Sequence, residues 1–401
     1  MDLSLTEQVF ISGGIVAILL GIIVSKTNFC TMGAVSDWVN MGSMNRMRAW
    51  ALAMVTAILA VSIIENLQIL SLESTMPGYR TENFAWLRNI VGGLIFGIGM
   101  TFASGCGNKA LIRLGAGNLK SIFVIFTAGF FAYLMSKTSF YEIIFHPWVS
   151  ATTISLSSYS IASQDLGGFI GSLAGLEDLT NIRLFAALVV SAGLLFLIFK
   201  SSPFRKDREN IIAGIGVGAA VTTAWYITGG PMGQEWIEAM EWEENKPIGV
   251  AVQAYTFINP MGESIAFLIN PSDFLLISFG MVSLFGVILG SFLYAIFTKT
   301  FRVEWFSSWQ DFYMHIIGAT LMGIGGVLAM GCTIGQGVTG VSTLSIGSFL
   351  AVGSIIMGSA ITMKTQYYKM VYEDQPFIAA FQTALVDLGL LPKSMRKLED
   401  F

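Results

Sequence analysis

The chain has 401 residues, 54% hydrophobic and only 12% charged, with a mean hydropathy of +0.68 and a net charge of −4. Soluble domains carry about 25% charged residues, so this composition excludes a soluble globular protein and a soluble protein with one anchor. The mild net charge calls for no nucleic-acid partner, and nothing in the sequence calls for a cofactor.

A membrane-crossing helix needs about 20 largely apolar residues. In chain order, nine apolar stretches approach or reach that length: 10–25, 49–67, 89–103, 119–136, 184–199, 210–228, 274–298, 312–330 and 345–362. The expected fold is therefore an all-α polytopic membrane protein embedded in a lipid bilayer. Asp2 and Glu7 stand where a signal peptide would be basic, so the first stretch is expected to remain as a span. The runs 10–25 and 89–103 are too short for a full crossing, and the chain is expected to re-enter as half-helices such as 107–114 or 333–341. The amphipathic stretches 161–177 and 377–390 read as interfacial.

Nine spans put the termini on opposite sides, and basic residues mark the cytoplasmic side. With the N-terminus outside, only Arg80, Arg88, Lys137, Arg183 and Lys246 of the 22 Lys and Arg face outward. An outside N-terminus and a cytoplasmic C-terminus follow.

The segment 92–106 matches 318–332 without gaps at Gly92/Gly318, Gly97/Gly323, Ile98/Ile324, Gly99/Gly325, Ala103/Ala329, Gly105/Gly331 and Cys106/Cys332. The third and eighth spans run in opposite directions, so this is an inverted repeat. It divides the chain into a first repeat over 10–136, a linker span over 184–199, a second repeat over 210–362 and a cytoplasmic tail over 363–401. A weaker echo links Cys30–Gly33 to Gly230–Gly233, where the second copy has no cysteine. Inverted repeats place substrate near the midplane, at breaks in matching helices.

All three cysteines sit at such breaks: Cys30 before Thr31, Cys106 between Gly105 and Gly107, and Cys332 between Gly331 and Thr333. An odd number without CxxC spacing argues against a redox dithiol or a zinc site. A half-helix starting at Gly107 or Thr333 would aim free N–H groups and the positive dipole end at the centre, which suits an anion. Thr31, Asn108, Thr333 and Gln336 add neutral donors, and Gly105, Gly107 and Gly331 allow close backbone approach. Thiols supply weak S–H donors, although a buried cysteine is also an ordinary small core residue. Glu65 reads as a proton relay or as a helix cap, and Lys109 as an anion ligand or an inner-face anchor. His146 and His315 read as structural, the Gly93/Gly97 and Gly286/Gly290 pairs as packing, and Trp38, Trp50, Trp86 and Trp148 as interfacial aromatics.

The run Ser25–Asp37, the Ser104–Gly107 break and the Gly331–Gly337 break together resemble the YeeE/YedE family of membrane proteins, over nearly the whole chain. The resemblance implies an hourglass-like inverted-repeat fold and uptake of inorganic sulfur compounds, thiosulfate above all. It maps the family's functional cysteines onto Cys30, Cys106 and Cys332. It also implies a small TusA-like cytoplasmic sulfur carrier, expected here as a separate protein because the sequence ends at Phe401 without one. Thiosulfate suits these residues: its oxygens fit the N–H and hydroxyl donors, and its terminal sulfur fits a thiol. The alternatives are a membrane thiol sulfurtransferase, for which no His or acid is placed as a base, and a permease for a selenium compound or a soft metal such as Cu(I). Single cysteines without Met-rich spacing count against the metal.

Overall fold

A computed structural model describes residues 3–176 and 178–399. Met1, Asp2, Glu177, Asp400 and Phe401 lie outside it, including the Asp2 of the signal-peptide argument and the ends of the 161–177 stretch and of the tail. The chain is a multi-pass, all-α membrane protein. Among the described residues, nine helical segments are long and apolar enough to cross a membrane, each overlapping one expected stretch.

The first half runs α1 (Leu5–Thr27), α2 (Thr31–Met41), α3 (Asn45–Asn66), α4 (Trp86–Phe102), α5 (Gly107–Gly115) and α6 (Lys120–Lys137). After α7 (Leu179–Phe199) come α8 (Arg208–Gly229), α9 (Pro231–Glu241), α10 (Ile258–Ile269), α11 (Phe279–Phe297), α12 (Trp309–Leu328), α13 (333–342) and α14 (Ile346–Val371). Among the described residues, β structure is a two-residue antiparallel pairing, Asn83 opposite Ser155 and Phe84 opposite Ile154, and three isolated bridges. The amphipathic stretches fold as short helices, Leu166–Ala174 and Phe377–Asp387.

The expected half-helices are present as α5 and α13. The expectation that the first stretch stops short is corrected: α1 has 23 residues, enough to cross by itself. Its polar flanks are helical too. The Ser4 hydroxyl accepts from the Glu7 N–H at 3.3 Å while the Glu7 carboxylate accepts from the Ser4 N–H at 2.8 Å, a reciprocal cap that satisfies orphan donors. The last span likewise continues past 362 to Val371.

Packing between the halves is reciprocal. Helices α1 and α11 pack together, as do α8 and α3. In the central pair, a Cβ on Gly92 would strike Leu328 and Ala329, and one on Gly318 would strike Ala103. Gly99 closes on Gly318 and Met322, while Gly325 closes on Gly92 and Phe96. Gly97 meets Ile355 and Ser359 of α14, and Gly323 meets Ala128 and Phe131 of α6. Matched positions in the sequence thus make matched contacts. Small residues are what allow helix backbones to approach this closely in lipid.

Two buried ion-pair groups pin the loops at one end. Arg80 donates to both Glu65 oxygens, at 2.5 and 2.9 Å, and to the Thr343 carbonyl at 3.1 Å. Glu65 is therefore an ion-pair partner rather than a helix cap. Arg183 pairs with Asp165 at 3.1 Å and with Glu73. Burial opposes ionisation of Asp165, but Arg80 and Arg183 hold its carboxyl below the usual range.

Candidate functional site

The three cysteine breaks share one backbone design. Two residues before each cysteine stands a non-glycine residue in the left-handed region: Asn28 (φ 52°), Ser104 (φ 56°) and Met330 (φ 59°). Such residues cost about 1–3 kcal/mol unless their surroundings impose them. Each turn ends one helix, and the next helix begins immediately after the cysteine. Cys30 caps α2, its sulfur accepting from the Gly33 N–H at 3.5 Å. Cys106 occupies the same position before α5. The Cys332 sulfur accepts from the Gly335 N–H at 3.5 Å, and the Phe257 N–H also faces it. Gly230, the counterpart of Cys30, precedes α9 without a left-handed residue.

The fold brings the thiols together. Cys106 lies within electrostatic reach of both Cys30 and Cys332, and the Thr333 side chain faces its sulfur. All three are free and buried, with exposures of 9%, 2% and 0% in chain order. No metal-ligating cluster of His, Cys, Asp or Glu is found among the described residues.

Of the polar residues expected beside the thiols, two leave a hydroxyl open and two an amide oxygen, which can only accept. The Thr31 and Thr333 hydroxyls, the Asn108 side-chain oxygen and the Gln336 side-chain oxygen are all buried without a hydrogen-bond partner. Gln336 spends its amide N–H on the Ala329 carbonyl. Buried polar groups are nearly always paired, which sets these four atoms apart from most of the core. The glycines divide by role. Gly105 leaves room for the side chains of Lys109 and Arg113, Gly107 packs against Ile258 and Met261, and Gly331 against Gly335 and Gln336. Lys109 donates to the Asn28 side-chain oxygen at 2.6 Å, which ties the first break to the second.

Several residues that sequence reasoning missed adjoin the site. Residues 250–257 run extended and mostly buried before α10, a segment expected to lie in an outer loop. It places Thr256, whose hydroxyl is buried and unpaired, against Gly335. Tyr79 is fully buried and donates to the Gly335 carbonyl at 2.8 Å. That carbonyl lies at the start of a π-helical turn, Gly335–Gly340, which loosens the regular ladder; such turns often occur at functional sites. Trp50 is not interfacial: it is 4% exposed and stacks on Phe29 with ring centroids 4.4 Å apart. With Thr31, Thr333 and Gly337 it lines an apolar cavity of about 300 Å³. The signal for 250–269 was an apolar helix, but its 12 residues are too few to suggest membrane depth.

Comparison with known proteins fits this arrangement. The chain is 25% identical over 356 residues to the thiosulfate transporter TsuA of Escherichia coli (strain K12), covering 88% of this chain and 93% of that protein. It is 26% identical over 365 residues to the thiosulfate transporter TsuA of Spirochaeta thermophila, covering 87% and 96% respectively. The profile of the sulphur-transport family matches residues 26–361, and the chain belongs to that family.

Proposed function

We propose that this protein is a permease that carries thiosulfate into the cell across a bacterial inner membrane. The N-terminus faces outward and the C-terminus the cytoplasm. Two inverted halves, 10–136 and 210–362, are joined by the 184–199 linker span and enclose a central route along Cys332, Cys106 and Cys30. The observation that carries this reading is the three free, buried thiols at the helix breaks, with the unpaired buried hydroxyls of Thr31 and Thr333 next to them in the chain. The two relatives named as thiosulfate transporters support it.

The chemistry follows from the side chains. Thiosulfate has a hard sulfonate end and a soft terminal sulfur. The Thr31 and Thr333 hydroxyls and the Asn108 amide N–H2, with the N–H groups opening α5 and α13, are suited to the oxygens. The thiols offer weak S–H contacts to the terminal sulfur, and a sequence of weak contacts permits release as well as binding. Sulfate has no soft end and gains nothing from the thiols. The protein acts as a conduit, with no chemical step on the substrate, and a separate TusA-like carrier receives the sulfur on the cytoplasmic side.

Proteoliposomes containing the purified protein test this directly. Labelled thiosulfate is expected to enter, with sulfate, sulfite and Cu(I) excluded. Entry of Cu(I) but not thiosulfate would replace this reading with a soft-metal permease. Sulfur transferred to a thiol acceptor without uptake would replace it with a sulfurtransferase.

A further inference from the structure

Beside Cys30 and Cys106 stands one cation without a carboxylate partner, Lys109, and Arg113 lies next to it. Lys109 lies within electrostatic reach of Cys30, Cys106, Arg113 and Arg46. Arg46 is paired with Asp37 at 3.3 Å. Among the described residues, neither Lys109 nor Arg113 forms an ion pair. Lys109 is instead held by a neutral group, the Asn28 side-chain oxygen. Half-buried charges are normally paired, so this pair stands ready for a counter-ion.

There is space for one. A cavity of about 520 Å³ opens between α5, α6 and the 300–315 segment, with Ser104, Gly105 and Arg113 on one wall and Arg302 on another. Of its two acids, Asp311 is paired with a cation and Glu304 is not. Asp311 accepts from Lys120 at 2.7 Å and lies 3.0 Å from His315, while Glu304 accepts from the Asn118 amide at 2.6 Å. Arg113 and Arg302, neither of which forms an ion pair among the described residues, thus outnumber the one unpaired carboxylate, Glu304, and leave the lining positive. Gly105 is small where Lys109 and the Arg113 guanidinium cross it, which lets both reach toward the cysteine break.

We infer that this cavity is an anion-binding vestibule in which Arg113 and Arg302 hold a small divalent oxyanion, with Lys109 adjoining it at Gly105 on the side of Cys106 and Cys30. Asn28 is a positioning residue that fixes the Lys109 ammonium. The inference rests on the permease reading for the identity of the anion, but its charge selectivity does not. The neutral donors near the thiols in the chain provide weak contacts; the vestibule supplies the local concentration of a dianion that feeds or drains them.

The test uses two membrane-impermeant thiosulfonate reagents of similar size, one carrying a sulfonate and the other a quaternary ammonium. They react with the purified full-length protein in detergent, and labelling of Cys30 and Cys106 is read by peptide mass spectrometry. Each rate is divided by that reagent's rate with free cysteine. The anionic reagent is expected to be favoured by about tenfold or more, as charged clefts concentrate opposite charge. Raising salt from low to molar strength should narrow the preference, because screening at 1 M acts within about 3 Å. Lys109→Gln and Arg113→Gln should each reduce the preference, Lys109→Arg should retain it, and Asn28→Ala should weaken it less than Lys109→Gln. An equal or reversed preference in the wild type, or no labelling of either cysteine by the anionic reagent, overturns the vestibule. Thiosulfate uptake is measured on the same preparation. Anionic preference without uptake removes the permease reading alone, whereas uptake with a flat preference removes the vestibule alone.

Discussion

At the residue scale, the proposed route depends on side chains that are small, buried and weakly polar. Cys106 and Cys332 occupy matching breaks, so truncating either to Ala should slow thiosulfate uptake about tenfold, the effect of losing roughly 1.4 kcal/mol at a limiting barrier. The removed volume is one sulfur atom, so folding should survive, which size-exclusion profiles and thermal unfolding would verify. Normal uptake by both variants would return these residues to ordinary core packing. Cys30 is the more exposed of the three at 9%, and its repeat counterpart is Gly230. In the proposed permease, its position beside Lys109 makes it a contact at the cytoplasmic end of the route. Cys30→Ser should impair uptake, because a hydroxyl is less polarisable than a thiol toward a soft sulfur. Thiosulfate should also slow its labelling from the cytoplasmic face. Full uptake by the Ser variant would leave a two-thiol route.

At the element scale, the breaks rather than the helices create the site. Each cysteine break reverses or redirects the chain through a left-handed residue, and the loops above α13 are then locked by Arg80 and Arg183. Asp165 is fully buried against Arg183. Removing one partner of a buried pair costs about 3–5 kcal/mol, so Asp165→Ala should lower the unfolding temperature markedly in detergent. Because its folded pKa is depressed, the stabilisation is complete above the unfolded value of about 3.9. It is lost as pH falls from there through the folded value, and the wild-type and variant unfolding temperatures should converge in acid. An unchanged unfolding temperature at neutral pH would show that Glu73 alone suffices for Arg183. The legible parts at this scale were α5 and α13, which start where glycine and cysteine interrupt long apolar runs. The extended segment 250–257 was not legible, since it has no helical period and depends on contacts such as Thr228 with Gln253, at 3.0 Å from the Gln253 N–H.

For the whole molecule, the basic residues give the orientation its test. Reporter fusions at 205 and after 401 should both report the cytoplasm, and an outside signal at either position would refute the nine-span arrangement. The reciprocal glycine contacts give the two halves a common architecture. A bulky residue at Gly99 or at Gly325 should therefore damage folding to a similar degree, because each closes on the partner helix at an equivalent place.

The sequence by itself determined the membrane class, the nine apolar segments, the matching breaks and the three thiols, because hydropathy, glycine spacing and cysteine position are local properties of the chain. It also carried the family resemblance. Only the tertiary structure decided which polar groups meet. Trp50 left the interface for a stack on Phe29, Glu65 became the partner of Arg80, and Thr256 and Tyr79 came from loops to the flank of Cys332. Lys109, readable in sequence as an anion ligand or an inner-face anchor, stands beside two thiols and next to Arg113. The physical reason is that pairing, burial and local electric field arise from elements far apart in the chain. They exist only once close helix packing has brought those elements together.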